Sequence, residues 1–190
     1  IQLLNGLADL YENGFFREIG LSNTGPKRLI FLYQMLKSRG IKIKSIQIQF
    51  SLLTKPSSEE ERIKNICKEF NIKFLAYSPL ALGILSVPPD KSPKPSTMLR
   101  QSLFQRILPR TKELRTLLQY LGKKHSATQT QVALNWIRSH GAKPIVGIRN
   151  ISHAKDATAA LGWSLTKEEK ESLDFLRNNS DVYMPQNPFT

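Results

Sequence analysis

The sequence predicts an α/β fold in which helices and strands alternate and the strands form a parallel sheet. Segments of helical and strand periodicity follow one another along the whole chain, and the strands are nearly continuous apolar runs, as expected of parallel strands buried on both faces. The 190 residues, 40% of them hydrophobic, suffice for one domain with a substantial core. A Gly-rich strand-to-helix turn does not occur in the sequence, which argues against a doubly wound dinucleotide-binding sheet.

Four segments have the composition of strands, with many β-branched and aromatic residues. They cover residues 16–22, 43–53, 72–78 and 144–148. Between them, apolar residues recur at helical spacing. The predicted helices cover residues 1–13, 26–39, 57–70, 111–124, 128–140, 152–160 and 166–178.

Residues at the helix ends support these boundaries. Gly14 and Gly40 follow predicted helices, where glycine readily adopts the left-handed conformation that ends them. Three helices begin with the spacing of a capping box, in which two side chains three residues apart satisfy free amides of the first turn. The pairs are Ser57 with Glu60, Thr128 with Gln131, and Thr166 with Glu169.

Residues 87–110 form a proline-rich, basic segment that interrupts this alternation. We expect a long loop containing a short helix, and loops of this length are commonly functional. Four strands with their helices are half of a (β/α)8 barrel, which requires eight strands and about 250 residues. A half barrel would leave two unpaired apolar edges, so we expect an N-terminal half or a partner protein to cover them.

The formal net charge of +13 favours an anionic partner. The basic residues are scattered and form no recognised nucleic-acid motif, so nucleic-acid binding ranks last among the hypotheses. No apolar run is long enough to cross a bilayer, and we expect no membrane insertion. The single cysteine, Cys67, lies on the apolar face of a predicted helix and is expected in the core. Because the chain begins at Ile1 directly in helical periodicity, we expect a preceding segment.

Five segments in the correct order resemble the aldo-keto reductase family. They are REIGLSN (17–23), QIQFSLL (47–53), AYSPLALG (76–83), TQTQVALNW (128–136) and PIVGIRN (144–150). The resemblance implies that residues 1–190 are the second half of a (β/α)8 TIM barrel, with strands five to eight and a long loop at 87–110. The segment LGWSLTKEE (161–169) is similar to plastid and cyanobacterial members, which implies the plastid stroma or the cytoplasm.

The resemblance also implies an NADP(H) site. Family residues that bind the nicotinamide carboxamide match Ser22, Asn23 and Gln47, and the residue that stacks on the nicotinamide matches Tyr77. The pyrophosphate-binding stretch matches Ser78, Pro79, Leu80 and Gly83. The end of the site that binds the 2′-phosphate and the adenosine matches Gly147, Arg149, Asn150, His153 and Asp156. Without the resemblance, these residue types are also compatible with purely structural roles. These are turn formation for the Ser22–Asn23 pair, a buried hydrogen bond for Gln47 and core packing for Tyr77.

Four positions depart from the family pattern in ways that bear on cofactor affinity. His153 stands where the family usually has a longer polar or basic residue, and Asp156 where it has glutamate. Ala157 and Ile46 each replace an asparagine.

The catalytic residues of the family, a tyrosine, lysine, histidine and aspartate, come from the first four strands, so the sequence predicts neither a catalytic residue nor a metal site here. The first hypothesis is a working NADP(H)-dependent reductase of aldehydes or ketones, whose other half provides the general acid. The alternative is a non-catalytic barrel remnant that serves as an interaction subunit of a larger assembly.

Overall fold

The fold is given by a computed structural model that describes residues 2–93, 95 and 97–185. The helices are α1 (Gln2–Glu12), α2 (Pro26–Lys37), α3 (Ser58–Glu69), α4 (Met98–Ile107), α5 (Lys112–Lys124), α6 (Gln129–Ser139), α7 (Ile151–Ala159) and α8 (Lys167–Asn178). The strands are β1 (Ile19–Ser22), β2 (Ile43–Gln49), β3 (Lys73–Tyr77) and β4 (Lys143–Pro144). Two short 3-10 helices cover Ala81–Ser86 and Pro109–Thr111.

The strands form one sheet in the order β1-β2-β3-β4. Strands β1 and β2 are parallel, and their register places Ser22 opposite Gln47. The amide of Ile145, directly after β4, donates a hydrogen bond of 2.8 Å to the carbonyl oxygen of Ala76 in β3. The predicted α/β fold with a parallel sheet is therefore confirmed.

Local signals at the helix ends also agree with the structure. Gly14 and Gly40 have φ angles of 77° and 72°, in the left-handed region that glycine favours. Of the three predicted capping boxes, that of Thr166 with Glu169 is complete, while Ser57 and Thr128 cap their helices by accepting from the amides of Glu60 and Gln131. The helix predicted inside the long loop is α4.

The first two strands are shorter than predicted. The first begins at Ile19, and β2 ends at Gln49 instead of residue 53. Leu52 and Leu53 are fully buried within a turn, in which the Thr54 amide donates a 3.0 Å hydrogen bond to Ser51. Their apolar character thus serves core packing and does not extend the strand.

The predicted fourth strand, 144–148, is also too long, because β4 ends at Pro144. Ile145 and Ile148 are 43% and 49% exposed. Apolar, β-branched composition indicates that a segment can form a strand, but pairing also requires a neighbouring backbone.

The described chain divides into two compact units. The first comprises residues 2–48 and 57–75 and contains α1, α2 and α3. Within it, the ring of Tyr33 on α2 stacks on Phe70 with ring centroids 4.0 Å apart. Cys67 on α3 is buried as expected, and burial raises its pKa to about 11, which disfavours the reactive thiolate.

The second unit comprises residues 49–56, 76–93, 95 and 97–185. At its centre, the fully buried Trp136 stacks on Phe50 with ring centroids 5.0 Å apart. The guanidinium carbon of Arg177 lies 5.3 Å from the centre of the Trp136 ring. Helices α6 and α8 are joined here by Asp174, which accepts hydrogen bonds from Trp136 Nε1 at 2.7 Å and from His140 Nε2 at 2.9 Å.

The histidines at helix ends have specific carboxylate partners. His125, at the end of α5, lies with Nε2 2.9 Å from both carboxylate oxygens of Glu169, and its ring stacks on Trp163. His140 is bound to Asp174 as described. Both rings are thus held by carboxylates on α8. Across residues 2–93, 95 and 97–185, no helix is both long and apolar enough to cross a membrane.

Candidate functional site

A cavity of about 670 Å³ in the second unit collects many of the residues that the sequence predicted for a cofactor site. Its walls are the segment that follows β3, Arg100 in the first turn of α4, Thr130 in the first turn of α6, and the segment from β4 into α7. The predicted residues that line it are Ser78, Pro79, Leu80, Gly83, Gly147, Arg149, His153 and Asp156.

The segment after β3 has an unusual backbone. Ala81, Leu82 and Gly83 follow one another with φ angles of 49°, 56° and 97°, and Ser78 has a φ of 51°. The amides of Ala81 and Gly83 donate within this segment, to the carbonyl oxygens of Ser78 and Leu80 at 2.9 Å each, and hold it as a tight turn beside the cavity. The glycine at Gly83 is required by its backbone conformation, since an added Cβ would meet only the Arg100 guanidinium, at 3.9 Å.

Among the described residues, three basic side chains line the cavity: Arg100, Arg149 and His153. Arg100 was not predicted from the sequence. Its Nη2 donates a hydrogen bond of 2.6 Å to the carbonyl oxygen of Leu82, while its Nε is buried with no hydrogen-bond partner among the described residues. Nothing local distinguishes Arg100 from the other scattered bases, because its place in the site depends on how α4 folds back from the long loop.

Asp156 on α7 brings a carboxylate to the same cavity. Its Oδ1 accepts hydrogen bonds from Thr128 Oγ1 at 2.8 Å and from Gln131 Nε2 at 2.7 Å. Both donors lie at the start of α6, where the helix dipole favours a negative charge. The position of Asp156 is therefore fixed by α6 as well as by its own helix.

Asn150 has a structural role that the resemblance did not imply. Its Oδ1 caps α7 by accepting hydrogen bonds from the His153 amide at 2.9 Å and from Ser152 Oγ at 2.8 Å. Helix α7 consequently begins at Ile151. Arg149 and His153, on either side of this cap, both line the cavity.

Ser22, Asn23 and Gln47 come together in the first unit. The Asn23 amide donates a hydrogen bond of 2.9 Å to the carbonyl oxygen of Gln47, and Asn23 itself is left-handed with a φ of 49°. Asn23 Oδ1 is buried and has no hydrogen-bond partner among the described residues. Such an acceptor is costly unless a donor reaches it, and the amide group of a carboxamide ligand would be a suitable donor.

Tyr77 ends β3, in the second unit, just before the segment that lines the cavity. Its side chain is half-buried, and its hydroxyl has no hydrogen-bond partner in the described part of the chain. Its carbonyl oxygen accepts a hydrogen bond of 3.3 Å from the Phe50 amide. The backbone of Tyr77 is therefore held by a hydrogen bond, whereas its hydroxyl group could still bind a ligand.

A wider groove of about 1270 Å³ lies between α5 and α8 and is open to solvent. Tyr120 and Phe175 line it and are 62% and 65% exposed. None of the predicted site residues borders this groove. The smaller cavity is therefore the better candidate site, because it combines predicted site residues with two arginines and a fixed carboxylate.

Comparisons with known proteins agree with the resemblance. Residues 2–178 match the Aldo/keto reductase family. The chain is 41% identical over 187 residues to the chloroplastic pyridoxal reductase of Arabidopsis thaliana, covering 98% of this chain and 51% of that protein. It is 30% identical over 172 residues to probable aldo-keto reductase 1 of Glycine max, covering 88% of this chain and 48% of that protein. The chain thus spans about half the length of these relatives.

A solved structure is similar in fold. It is a thermostable aldo-keto reductase in complex with the inhibitor epalrestat, with a TM-score of 0.67 and 22% sequence identity. The match covers 91% of this chain and 53% of that one.

Proposed function

The chain belongs to the Aldo/keto reductase family, and from this premise we propose that it supplies the cofactor-binding half of an NADP(H)-dependent carbonyl reductase. The reaction is the reduction of an aldehyde or ketone to an alcohol by hydride transfer. The observation that carries the proposal is the cavity of about 670 Å³ lined by Arg100, Arg149 and His153. A phosphorylated dinucleotide fits the charge of these side chains.

In this proposal, residues 1–190 form strands five to eight of a (β/α)8 barrel and are completed by an N-terminal half. The chain matches 51% and 48% of the lengths of two relatives, as expected for half of such a protein. In (β/α)8 enzymes the site lies at the carboxyl ends of the strands. Ser22 and Tyr77 both occupy such ends.

The residues of this chain would bind and orient the cofactor. Bound NADPH supplies the hydride. From the resemblance, the residues proposed for the carboxamide are Ser22, Asn23 and Gln47, and the residue proposed for stacking on the nicotinamide is Tyr77. The turn from Ser78 to Gly83, through Pro79 and Leu80, would hold the pyrophosphate.

Arg149 is the reason for proposing NADP(H) rather than NAD(H) as the cofactor. A guanidinium can bind a phosphate through two parallel hydrogen bonds, so an exposed arginine at the entrance of α7 favours the 2′-phosphate of NADP(H). Gly147 leaves open space beside it, since an added Cβ there would meet nothing within 4 Å. His153 lies in the first turn of α7 and Asp156 in the second, where the adenosine would be placed.

The substrate and the compartment follow from the relatives as proposals. The Arabidopsis relative is named a chloroplastic pyridoxal reductase, so pyridoxal is the first aldehyde to test, and the plastid stroma is the first compartment, with the cytoplasm second. We propose that the general acid lies in the N-terminal half.

The test is a fluorescence titration of the full natural protein with NADPH and NADH. We expect NADPH to bind at least about tenfold more tightly, the effect of one charge-assisted bidentate contact. Arg149→Met should remove this preference, while Arg28→Met, an exposed arginine on α2, should leave it. Absence of NADPH binding by the unsubstituted protein would refute the proposal and would favour the interaction subunit.

A further inference from the structure

Four consecutive polar residues begin α6, namely Thr128, Gln129, Thr130 and Gln131. Thr128 is the helix cap, and its Oγ1 accepts a hydrogen bond of 3.1 Å from the Gln131 amide. Helix capping requires only this hydroxyl group and does not account for the contacts of the other three side chains. The other side chains of this segment each contact one of two walls of the cavity, and we call residues 128–131 the α6 bracket.

One side of the bracket holds α7. Thr128 Oγ1 and Gln131 Nε2 both donate to Oδ1 of Asp156, at 2.8 and 2.7 Å. Gln131 is only 9% exposed, so its amide group is committed to this contact by burial.

The other side holds the segment that follows β3. Gln129 Nε2 donates to the carbonyl oxygens of Leu85 at 3.0 Å and of Val87 at 2.9 Å. Thr130 Oγ1 donates to Ser86 Oγ at 3.0 Å. These acceptors directly follow the left-handed turn at Ala81, Leu82 and Gly83, so α6 fixes the end of that turn.

The α6 bracket therefore joins the two walls through one rigid helix end. Hydroxyl and amide donors suit this task, because they can bind a carboxylate and backbone carbonyls without adding charge to the cavity. A lysine or arginine in place of Thr128 or Gln131, which contact Asp156, would neutralise this carboxylate and change the charge that a ligand meets. An apolar residue at Gln129 would remove the donor to the buried Leu85 carbonyl oxygen, whereas Val87 would keep the Arg115 guanidinium.

We propose that Gln129 and Gln131 are positioning residues for the dinucleotide: together they set the separation between the wall after β3 and α7. This inference rests on the proposed function and deepens it, because it assigns the width of the cofactor site to α6, whose side chains need not touch the ligand. Gln131 positions the carboxylate at the adenosine end. Gln129 positions the turn at the pyrophosphate.

The two sides can be tested separately with ligands of different length. We expect Gln131→Met to weaken binding of both NADPH and adenosine 2′,5′-bisphosphate about tenfold, the loss typical of one hydrogen bond to a charged group. Gln129→Met should weaken NADPH binding similarly but change the affinity for the shorter ligand less than about twofold. Gln131→Glu, which keeps the shape but repels Asp156, should be worse than Gln131→Met.

Gln34→Met is the matched control, since Gln34 is an exposed glutamine on α2, and it should bind both ligands as the unsubstituted protein does. Thermal unfolding of each variant separates positioning from general stability. If Gln129→Met and Gln131→Met lower Tm but bind both ligands normally, the bracket is only structural and the inference is wrong. If the unsubstituted protein binds neither ligand, the proposed function fails and this inference fails with it.

Discussion

Arg115 Nη1 donates a hydrogen bond of 2.6 Å to the carbonyl oxygen of Pro88, and so a side chain on α5 holds the start of the long loop. The same guanidinium donates to Val87 at 3.2 Å and to Leu108 at 2.9 Å, so both ends of the loop meet at one residue. Arg115 is 2% exposed, and burial lowers its pKa. The loop is therefore anchored, and α4 within it is held near the cavity.

We expect Arg115→Met to lower the free energy of unfolding by about 3 kcal/mol, because buried carbonyl oxygens lose a charged donor. Urea denaturation measures this change. Arg110→Met is the control, since the ion pair of Arg110 with Asp181 is exposed and its loss should cost less than about 1 kcal/mol. Similar losses for the two variants would contradict the anchoring role.

The carboxylate of Glu169 should make stability depend on pH in the acid range. Burial raises its pKa, but hydrogen bonds from Lys124, the Thr166 amide and His125 outweigh burial and lower the pKa to about 2. A carboxylate with a depressed pKa in the folded protein stabilises it above the usual value near 4.5, and this contribution is lost as pH falls toward 2.

Glu169→Gln should therefore reduce the difference in unfolding free energy between pH 6 and pH 2.5. Urea denaturation of both proteins across this range provides the comparison. Glu171→Gln, an exposed residue on the same helix, serves as the control and should follow the unsubstituted protein. Parallel pH profiles for Glu169→Gln and the unsubstituted protein would show that the contacts around Glu169 do not lower the pKa of its carboxylate.

Two substitutions of Asn150 distinguish its role in helix capping from a role in ligand binding. Asn150→Asp keeps a capping oxygen and should preserve stability, but its negative charge beside Arg149 should weaken NADPH binding. Asn150→Ala loses the cap and should cost about 1 kcal/mol. Thermal unfolding together with NADPH titration resolves the two effects. Normal NADPH affinity in Asn150→Asp would place the phosphate away from the start of α7.

Two glycine substitutions should have opposite effects on stability. Gly83 has a φ of 97°, so Gly83→Ala should destabilise the protein by about 1 kcal/mol. Gly6 lies within α1 with nothing within 4 Å of an added Cβ, so Gly6→Ala should stabilise by a similar amount, up to about 1 kcal/mol, through helix propensity. Urea denaturation gives both signs, and a neutral Gly83→Ala would mean that the turn relaxes.

Features decided by neighbouring residues were predictable from the sequence. The caps at Thr128 and Thr166 and the helix ends at Gly14 and Gly40 depend on residues within one turn, and the structure has them all. The parallel α/β fold followed from the alternation of periodicities in the same way.

Features decided by distant residues were not predictable. The length of β4 depends on a neighbouring backbone, and the burial of Arg115 depends on carbonyl groups at both ends of a long loop. Arg100 reaches the cavity only because α4 folds back. The resemblance placed Asn150 in the cofactor site, but its capping role required knowing where α7 begins.

Each of the two compact units contains a residue type that can be used to follow its unfolding separately. The single cysteine, Cys67, is buried in the first unit, while both tryptophans, Trp136 and Trp163, belong to the second. Thiol labelling therefore follows the opening of one unit, and indole emission follows the other. Coincident transitions along a urea gradient would identify a single cooperative body, and an offset would identify two foldons.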